Sequence, residues 1–312
     1  MIAIEIQGLE KSYKTGFFRN KLKQGLKPLT LTVTEGEVFG YLGPNGAGKT
    51  TTLKLLLGLV FPSGGSAKIL GRDLGDIDVK RQIGFLPEQP YFYDHLTPLE
   101  LLDYYARLSG VEPRDRKRQI EKSLSRVGLT DSGKTQLRKF SKGMLQRVGI
   151  AQAIVHDPKL VLLDEPMSGL DPVGRREVRD LVQELNEEGK TIFFSTHILS
   201  DAETLCDRVA VLNKGELKGV GVVADLLREV SGDVEVVWSG AQAIPVLSAL
   251  GARCHATGDV VRAVLPERLL DTAVDALRRN QGRLTSVTPV RATLEDYFLA
   301  RIGDENPKVV NA

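Results

Sequence analysis

Two cysteines are all the chain has. Cys206 and Cys254 cannot make a framework of bridges, so the fold must be held by its own core in a reducing setting, with both thiols expected to be buried. Charge of one sign is equally scarce: 42 Lys and Arg against 40 Asp and Glu leave a formal net charge of +2, which excludes the basic field that drives nucleic-acid binding. No apolar run approaches the roughly 18 to 20 residues of a membrane span. The opening MIAIEIQGLEKSYK carries charges where a signal peptide needs an apolar stretch. The expectation is a chain soluble by itself that meets any membrane only through a partner. There is no internal repeat and no low-complexity tract, and 312 residues suffice for one large domain and a small one.

What is present alternates. Apolar runs bounded by turn signals take turns with helical patterns, which predicts parallel βα units and an α/β core. IAIEIQ and LTLTVTEGEVF alternate with the period of half-buried strands, and SAKIL follows the turn FPSGG, so a small antiparallel sheet is expected beside the parallel one. Residues 97–155 read as almost wholly helical. LVLL (160–163), TIFFS (191–195) and RVAVL (208–212) read as buried strands.

GPNGAGKTT carries the most chemistry. Preceded by the strand EVFGYL and followed by the helical TTLKLLLGLV, it is the GxxxxGK[ST] phosphate loop in its strand-loop-helix setting. Gly43, Gly46 and Gly48 let the backbone curl around Pro44, Asn45 and Ala47 so that consecutive N–H groups face phosphate. Lys49 supplies charge to the β- and γ-phosphates, Thr50 offers a hydroxyl to Mg²⁺, and Thr51 continues into the helix. In LVLLDEP a buried strand ends in Asp164, a carboxylate for the second coordination sphere of Mg²⁺, and then Glu165, placed to act as general base on an attacking water. Asn213, Lys214, Gly215 and Glu216 lack the final Asp of a guanine-reading NKxD and read as a hairpin turn. FSKGMLQR (140–147) has the look of a helix N-terminus, which attracts anions, about a hundred residues after a phosphate loop already present.

These motifs, in this order, resemble the ATP-binding subunits of ABC transporters over residues 1 to about 225. GPNGAGKTT is similar to Walker A, LVLLDEP to Walker B, FSKGMLQR to the signature, and SGLD (168–171) to the loop after Walker B, with Asp171 at its end. The resemblance implies a P-loop NTPase parallel sheet with a flanking antiparallel β-subdomain and a helical subdomain. It also implies ATP and Mg²⁺ as ligands, a second copy or a paralogous ATPase as partner, and an integral membrane permease at the cytoplasmic face of the membrane. In this family each signature caps the ATP on the other subunit's Walker A, so Ser141 and Gly143 are expected to serve a neighbour's γ-phosphate. The commonest signature, LSGGQ, is changed here at Phe140, Lys142 and Met144. FSKGM followed by QR resembles the branch with ABC-2-type membrane subunits, mostly exporters. Tyr13 matches the adenine-stacking aromatic, strand-end core being its other reading, and His197 the switch histidine.

The family's IGxxxQ is IGFLPEQP here, putting Glu88 at the Mg²⁺-contacting Gln position and Gln89 one residue late. Tyr91, Phe92 and Tyr93 read either as a wall of the groove gripping a partner's helix or as internal packing. The stretch KSYKTGFFRNKLKQGLKP holds Lys11, Lys14, Arg19, Lys21, Lys23 and Lys27 with Phe17 and Phe18. It is expected to lengthen the loop between the first two strands, either solvated or touching anionic lipid. The ATPase domain is placed at 1–228 and an accessory domain at 229–312, a small α+β unit of order βαββαβ capped by Thr293 and Asp296 at its last helix. Bracing or dimerisation is its expected role, ahead of ligand sensing. A soluble ATPase remodelling a non-membrane partner is the alternative; the second ATPase domain or coiled-coil insertion usual there is absent.

Overall fold

A computed structural model of the chain describes residues 1–15, 21–230, 232–240 and 243–302. It divides into two compact units between Val223 and Ala224, a few residues before the boundary expected at 228, so that the helix 223–230 goes with the second unit.

In the first unit, β1 (Ile2–Thr15) and β2 (Lys21–Thr34) form a long antiparallel hairpin, followed by the buried β3 (Val38–Leu42) and α1 (Lys49–Leu56). Next come β4 (Gly64–Ile69), β5 (Arg72–Asp73), α2 (Ile77–Lys80) and β6 (Ile83–Leu86). Three helices follow, α3 (Pro98–Leu108), α4 (Pro113–Arg126) and α5 (Lys142–Ile154). The unit then returns to alternation with β7 (Leu160–Asp164), α6 (Pro172–Glu187), β8 (Thr191–Thr196), α7 (Leu199–Leu205), β9 (Arg208–Asn213) and β10 (Glu216–Val222). One sheet has the order β2-β1-β4-β5 and is antiparallel; the other has the order β10-β9-β3-β8-β7-β6, parallel throughout except for β10.

Strands β3, β7 and β8 are buried at every residue, which is why they read as unbroken apolar runs: helices cover both faces of a parallel sheet. Phe39 stacks on Phe193 at 5.6 Å between ring centroids, with Tyr41 tilted against the same ring at 5.2 Å. Burial pushes the Tyr41 hydroxyl well above the ordinary tyrosine range. Helix α3 begins at a reciprocal cap, Thr97 accepting from Glu100 N at 3.3 Å while the Glu100 carboxylate accepts from Thr97 N at 2.8 Å.

Three expectations change here. LTLTVTEGEVF is divided between sheets: LTLTVT stays in β2, whereas the turn at Glu35 and Gly36 sends VF into the parallel sheet as part of β3. The basic stretch is not chiefly a loop, since Lys11 and Lys14 lie on β1 and Lys21, Lys23 and Lys27 on β2, paired across the hairpin; Phe17, Phe18 and Arg19 lie outside the described residues. Nor are the cysteines fully buried: both are intermediate and unbridged, although the Cys206 sulfur packs where a Cβ on Gly40 would fall and burial raises its thiol pKa.

The second unit begins at Ala224, one residue into α8 (Val223–Val230), and continues β11 (Asp233–Ser239), α9 (Ile244–Ala249), β12 (Arg253–Thr257), β13 (Val260–Pro266), α10 (Leu270–Arg279), β14 (Arg283–Pro289) and α11 (Leu294–Ile302). Its antiparallel sheet has the order β12-β13-β11-β14, the arrangement of a split βαβ fold. Alternate residues of β11, Val234, Val236 and Trp238, enter a core shared with Leu247, Val261, Leu265 and Leu277. Trp238 is fully buried and donates from Nε1 to Gly240 O at 2.8 Å. Thr293 and Asp296 cap α11 reciprocally, Asp296 N donating to Thr293 Oγ1 at 3.2 Å and Thr293 N to Asp296 Oδ2 at 2.9 Å.

Candidate active site

The carboxyl ends of β3, β8 and β7 lie side by side, Leu42 level with Thr196 and Asp164 level with Ser195. Such an edge is where open α/β sheets take their ligands. The loop leaving β3 needs its glycines: Gly46 and Gly48 have φ of 81° and 107°, in the left-handed region, and a Cβ on Gly43 would sit 2.5 Å from Leu212 O. The loop is braced from outside by the two-residue turn between β9 and β10, Lys214 and Gly215, whose φ values of 48° and 78° suit a type I′ hairpin. Gly215 N donates to Ala47 O at 2.9 Å, and Lys27 N donates to Gly215 O at 2.7 Å.

Lys49 opens α1 and points back over the loop. Its Nζ donates to Gly43 O at 2.6 Å and to Pro44 O at 3.4 Å, and lies 3.1 Å from Glu165 Oε1. The Lys49 and Glu165 side chains are both more than nine-tenths buried, at 6% and 7% exposure, so this ion pair is shielded from water. Glu165 follows directly on β7 with φ of 51°, an uncommon conformation for a side-chain-bearing residue that stores strain at functional sites. Its Oε1 is buried without a hydrogen bond, while Oε2 accepts from His197 Nδ1 at 2.9 Å. His197, half exposed, stands just past β8 and reaches the site through this contact. Asp164 is buried and accepts a 2.5 Å hydrogen bond from Ser195 Oγ; Ser195 also accepts from Glu165 N at 3.3 Å.

In front of these groups opens a cleft of about 670 Å³. Tyr13, Pro44, Asn45, Gly46, Gly48, Lys49, Thr50, Thr51, Glu88 and Glu165 all line it, with Gly43 and Ala47 buried behind. Glu88 faces the cleft and Gln89 is not among its lining residues. The Tyr13 ring lies against Gly25, where an added Cβ would meet Cε2 at 2.6 Å, and Lys11 Nζ stands 5.3 Å from the ring centroid. Lys14, Lys23, Gln24, Gly25 and Lys54 also line the cleft and were not foreseen; nor was Ser195, hidden in the run TIFFST.

Ser141 caps α5, its Oγ accepting from Met144 N at 3.2 Å. With Lys142 and Gly143 it forms one side of a separate hollow of about 360 Å³. Gly169, Leu170 and Asp171 form the other, Asp171 capping α6 by accepting from Gly174 N at 2.8 Å. No residue lines both this hollow and the cleft. Gln146 ties the two regions from within, its buried amide donating to Pro166 O at 3.1 Å. Beside the start of α3, Tyr91 and Tyr93 are 92% and 62% exposed, so internal packing is not their role.

Comparison with known proteins supplies the rest. The ABC transporter family profile matches residues 26–168. An uncharacterised ABC transporter ATP-binding protein of Synechocystis is 45% identical over 313 residues, covering 96% of this chain and 84% of that protein. The bacitracin transport ATP-binding protein BcrA of Bacillus licheniformis is 44% identical over 192 residues, 61% of this chain and 62% of that one. The dimeric post-hydrolysis structure of the ATP-binding cassette MJ0796 with ADP and phosphate superposes with a TM-score of 0.65 at 27% identity, over 70% of this chain and 98% of that chain.

Proposed function

Because this chain belongs to the ABC transporter ATP-binding proteins and is an ATPase, we propose that it works as one half of a head-to-tail dimer around two ATP, driving export through a separate membrane subunit of ABC-2 type. The observation that carries this reading is the separation of the two hollows. The anion-seeking end of α5, with Ser141 and Gly143, borders a different space from the cleft of the phosphate loop, so the phosphate it serves belongs to a second molecule. The MJ0796 structure, similar over 70% of this chain, is itself dimeric.

Within the cleft each residue has a part. Tyr13 stacks on adenine, the backbone N–H groups of Asn45, Gly46 and residues 48–51 surround the phosphates, and Lys49 neutralises the β- and γ-oxygens. Glu165 accepts the proton of the water whose oxygen attacks the γ-phosphorus, and His197 holds the carboxylate by its second oxygen while reaching toward the same phosphate. The donor set suits a hard cation: the Thr50 hydroxyl, the Asp164 carboxylate held by Ser195, and Glu88 on the cleft wall are all oxygens. These residues would hold Mg²⁺, which would supply charge neutralisation at the phosphates. Asp171 shapes the loop facing the signature of its own chain and, in the dimer, the neighbour's nucleotide.

Among the described residues no helix is long and apolar enough to cross a membrane; the proposed partner is an integral membrane subunit met at the cytoplasmic face. The exposed Tyr91 and Tyr93 are the proposed contact for that partner's helix. Export is supported by the signature variant, and transport by the relative named for bacitracin transport. The unit after Val223 has its own core and is proposed to brace or pair the subunits.

The test mixes two inactive proteins, Ser141→Arg and Lys49→Ala. In a mixed dimer one composite site combines both lesions and the other joins an intact phosphate loop to an intact cap, so hydrolysis should partly return. Ser141→Arg alone should keep its own ATP affinity. Loss of that affinity in the isolated subunit would mean the motif serves its own chain's nucleotide.

A further inference from the structure

The basic hairpin β1–β2 is the one feature singled out in the sequence that the ATPase reading leaves without work. Its register explains where its cations go. Lys11 pairs with Leu26 but Ser12 pairs with Gln24, so Gly25 is an extra residue in β2, a bulge. Continued without it, the pairing would set Gln24 opposite Tyr13; with it, Lys23 stands opposite Tyr13. Directly paired residues of an antiparallel ladder put their side chains on the same face, close together. The bulge thus does two things at once: it offers the ring of Tyr13 a surface without a Cβ, and it sets Lys23 directly opposite Tyr13 in the ladder, on the same face. Lys14, next along β1, lines the same cleft.

Electrostatics agrees. The chain as a whole is close to neutral, yet the cleft is lined by four lysines and two glutamates, and one of those glutamates, Glu165, is already engaged by Lys49. Lys14 and Lys23 make no ion pair with any carboxylate among the described residues, whereas Lys27 on the same strand is paired with Glu216 at 2.7 Å. Two unpaired ammonium groups on the wall of a phosphate-binding cleft want an anion.

We infer that Lys14 and Lys23 are further nucleotide-binding residues that hold the ribose and α-phosphate end of ATP, next to the base on Tyr13. The inference rests on the proposed placement of the nucleotide, with base on Tyr13 and terminal phosphates on Lys49. A cation beside Tyr13 is then at the end of the ligand that ATP and ADP share. These lysines contribute binding that does not change as the γ-phosphate leaves, so they set affinity for both nucleotides and do not accelerate the chemical step.

The full chain is titrated with ATP, with ADP and with inorganic tripolyphosphate by calorimetry, as wild type and as Lys14→Met, Lys23→Met and the double variant, which keep the apolar stems. Each single change should weaken ATP and ADP alike by about three- to tenfold. Tripolyphosphate, which keeps the α-phosphate but lacks the ribose, should weaken by no more than ATP does; kcat at saturating ATP should be unchanged, KM should rise, and Lys23→Arg should restore binding. Unchanged ATP and ADP affinity in the double variant would overturn the inference, as would a loss confined to ATP, which would move the cations to the γ end. Loss of binding to phosphatidylserine vesicles with nucleotide affinity intact would give the hairpin to the membrane instead and equally overturn it. Lys49→Ala separates this failure from a larger one: if it binds ATP as well as wild type, the placement of the nucleotide itself is wrong.

Discussion

Replacing Glu165 with Gln exchanges one carboxylate oxygen for an amide of the same size and leaves the strained backbone after β7 in place. The amide keeps a carbonyl oxygen for the His197 N–H, now 2.9 Å from Oε2, so the side chain stays where it is. What disappears is the charge that faces Lys49 at 3.1 Å and the capacity to take a proton. Lys49 retains its contacts to Gly43 O and Pro44 O, so the phosphate loop keeps its shape and ATP still binds. The loss falls on the chemical step: a positioned general base is worth roughly 10²- to 10⁴-fold, or about 3 to 5 kcal/mol of barrier. Phosphate release under single-turnover conditions, with enzyme in excess over ATP and Mg²⁺ saturating, should slow by that factor, while calorimetric ATP affinity stays equal or improves. Because bound ATP then persists, the variant should elute as a dimer in size-exclusion chromatography with ATP. Turnover within a few-fold of the parent would remove Glu165 from the role of base, and the burial of its carboxylate against Lys49 would have to be read as structural.

Other outcomes follow from the same geometry. Lys49→Ala should abolish measurable ATP binding by calorimetry, since the phosphate contact it removes is made in the ground state. Ser195→Ala should leave the fold intact but raise the Mg²⁺ concentration needed for half-maximal hydrolysis by about tenfold, because Asp164 loses its 2.5 Å hydrogen bond and with it its fixed orientation. A chain ending at Val223 should stay folded by circular dichroism and bind ATP, since the residues lining both hollows lie before it; an insoluble or ATP-blind product would show that the later residues complete the core.

The sequence made the phosphate loop legible because its glycines, Lys49 and Thr50 all fall in the single stretch 43–50, and the structure adds the brace from Gly215. The helical segment and the split βαβ order were equally open to reading, since helical periodicity and strand alternation are local. What escaped was everything set by register or by distant packing. A charged stretch with two glycines looks like a loop, and nothing in it says that Lys14 and Lys23 are strand residues, because their pairing depends on a bulge at Gly25. Alternation in LTLTVTEGEVF marks strands without saying to which sheet each belongs. IGFL leads toward Glu88 and is a strand of its own, β6, at the edge of the parallel sheet. Ser195 is invisible in TIFFST because a polar residue in an apolar run declares itself only when its partner, Asp164 on the neighbouring strand, is beside it. The pair Lys49 and Glu165 joins residues over a hundred positions apart.

The only tryptophan of the chain, Trp238, lies at the centre of the second unit, sealed from water and anchored by its indole N–H. Optically, the two units are therefore already labelled apart. Excited at the red edge of the aromatic band, the protein emits from the accessory unit alone, and the cleft, whose aromatic is a tyrosine, is dark at that wavelength. An emission change on adding ATP would be a message received at Trp238 from a site in the other unit, readable in a cuvette without a dye, a mutation or a membrane.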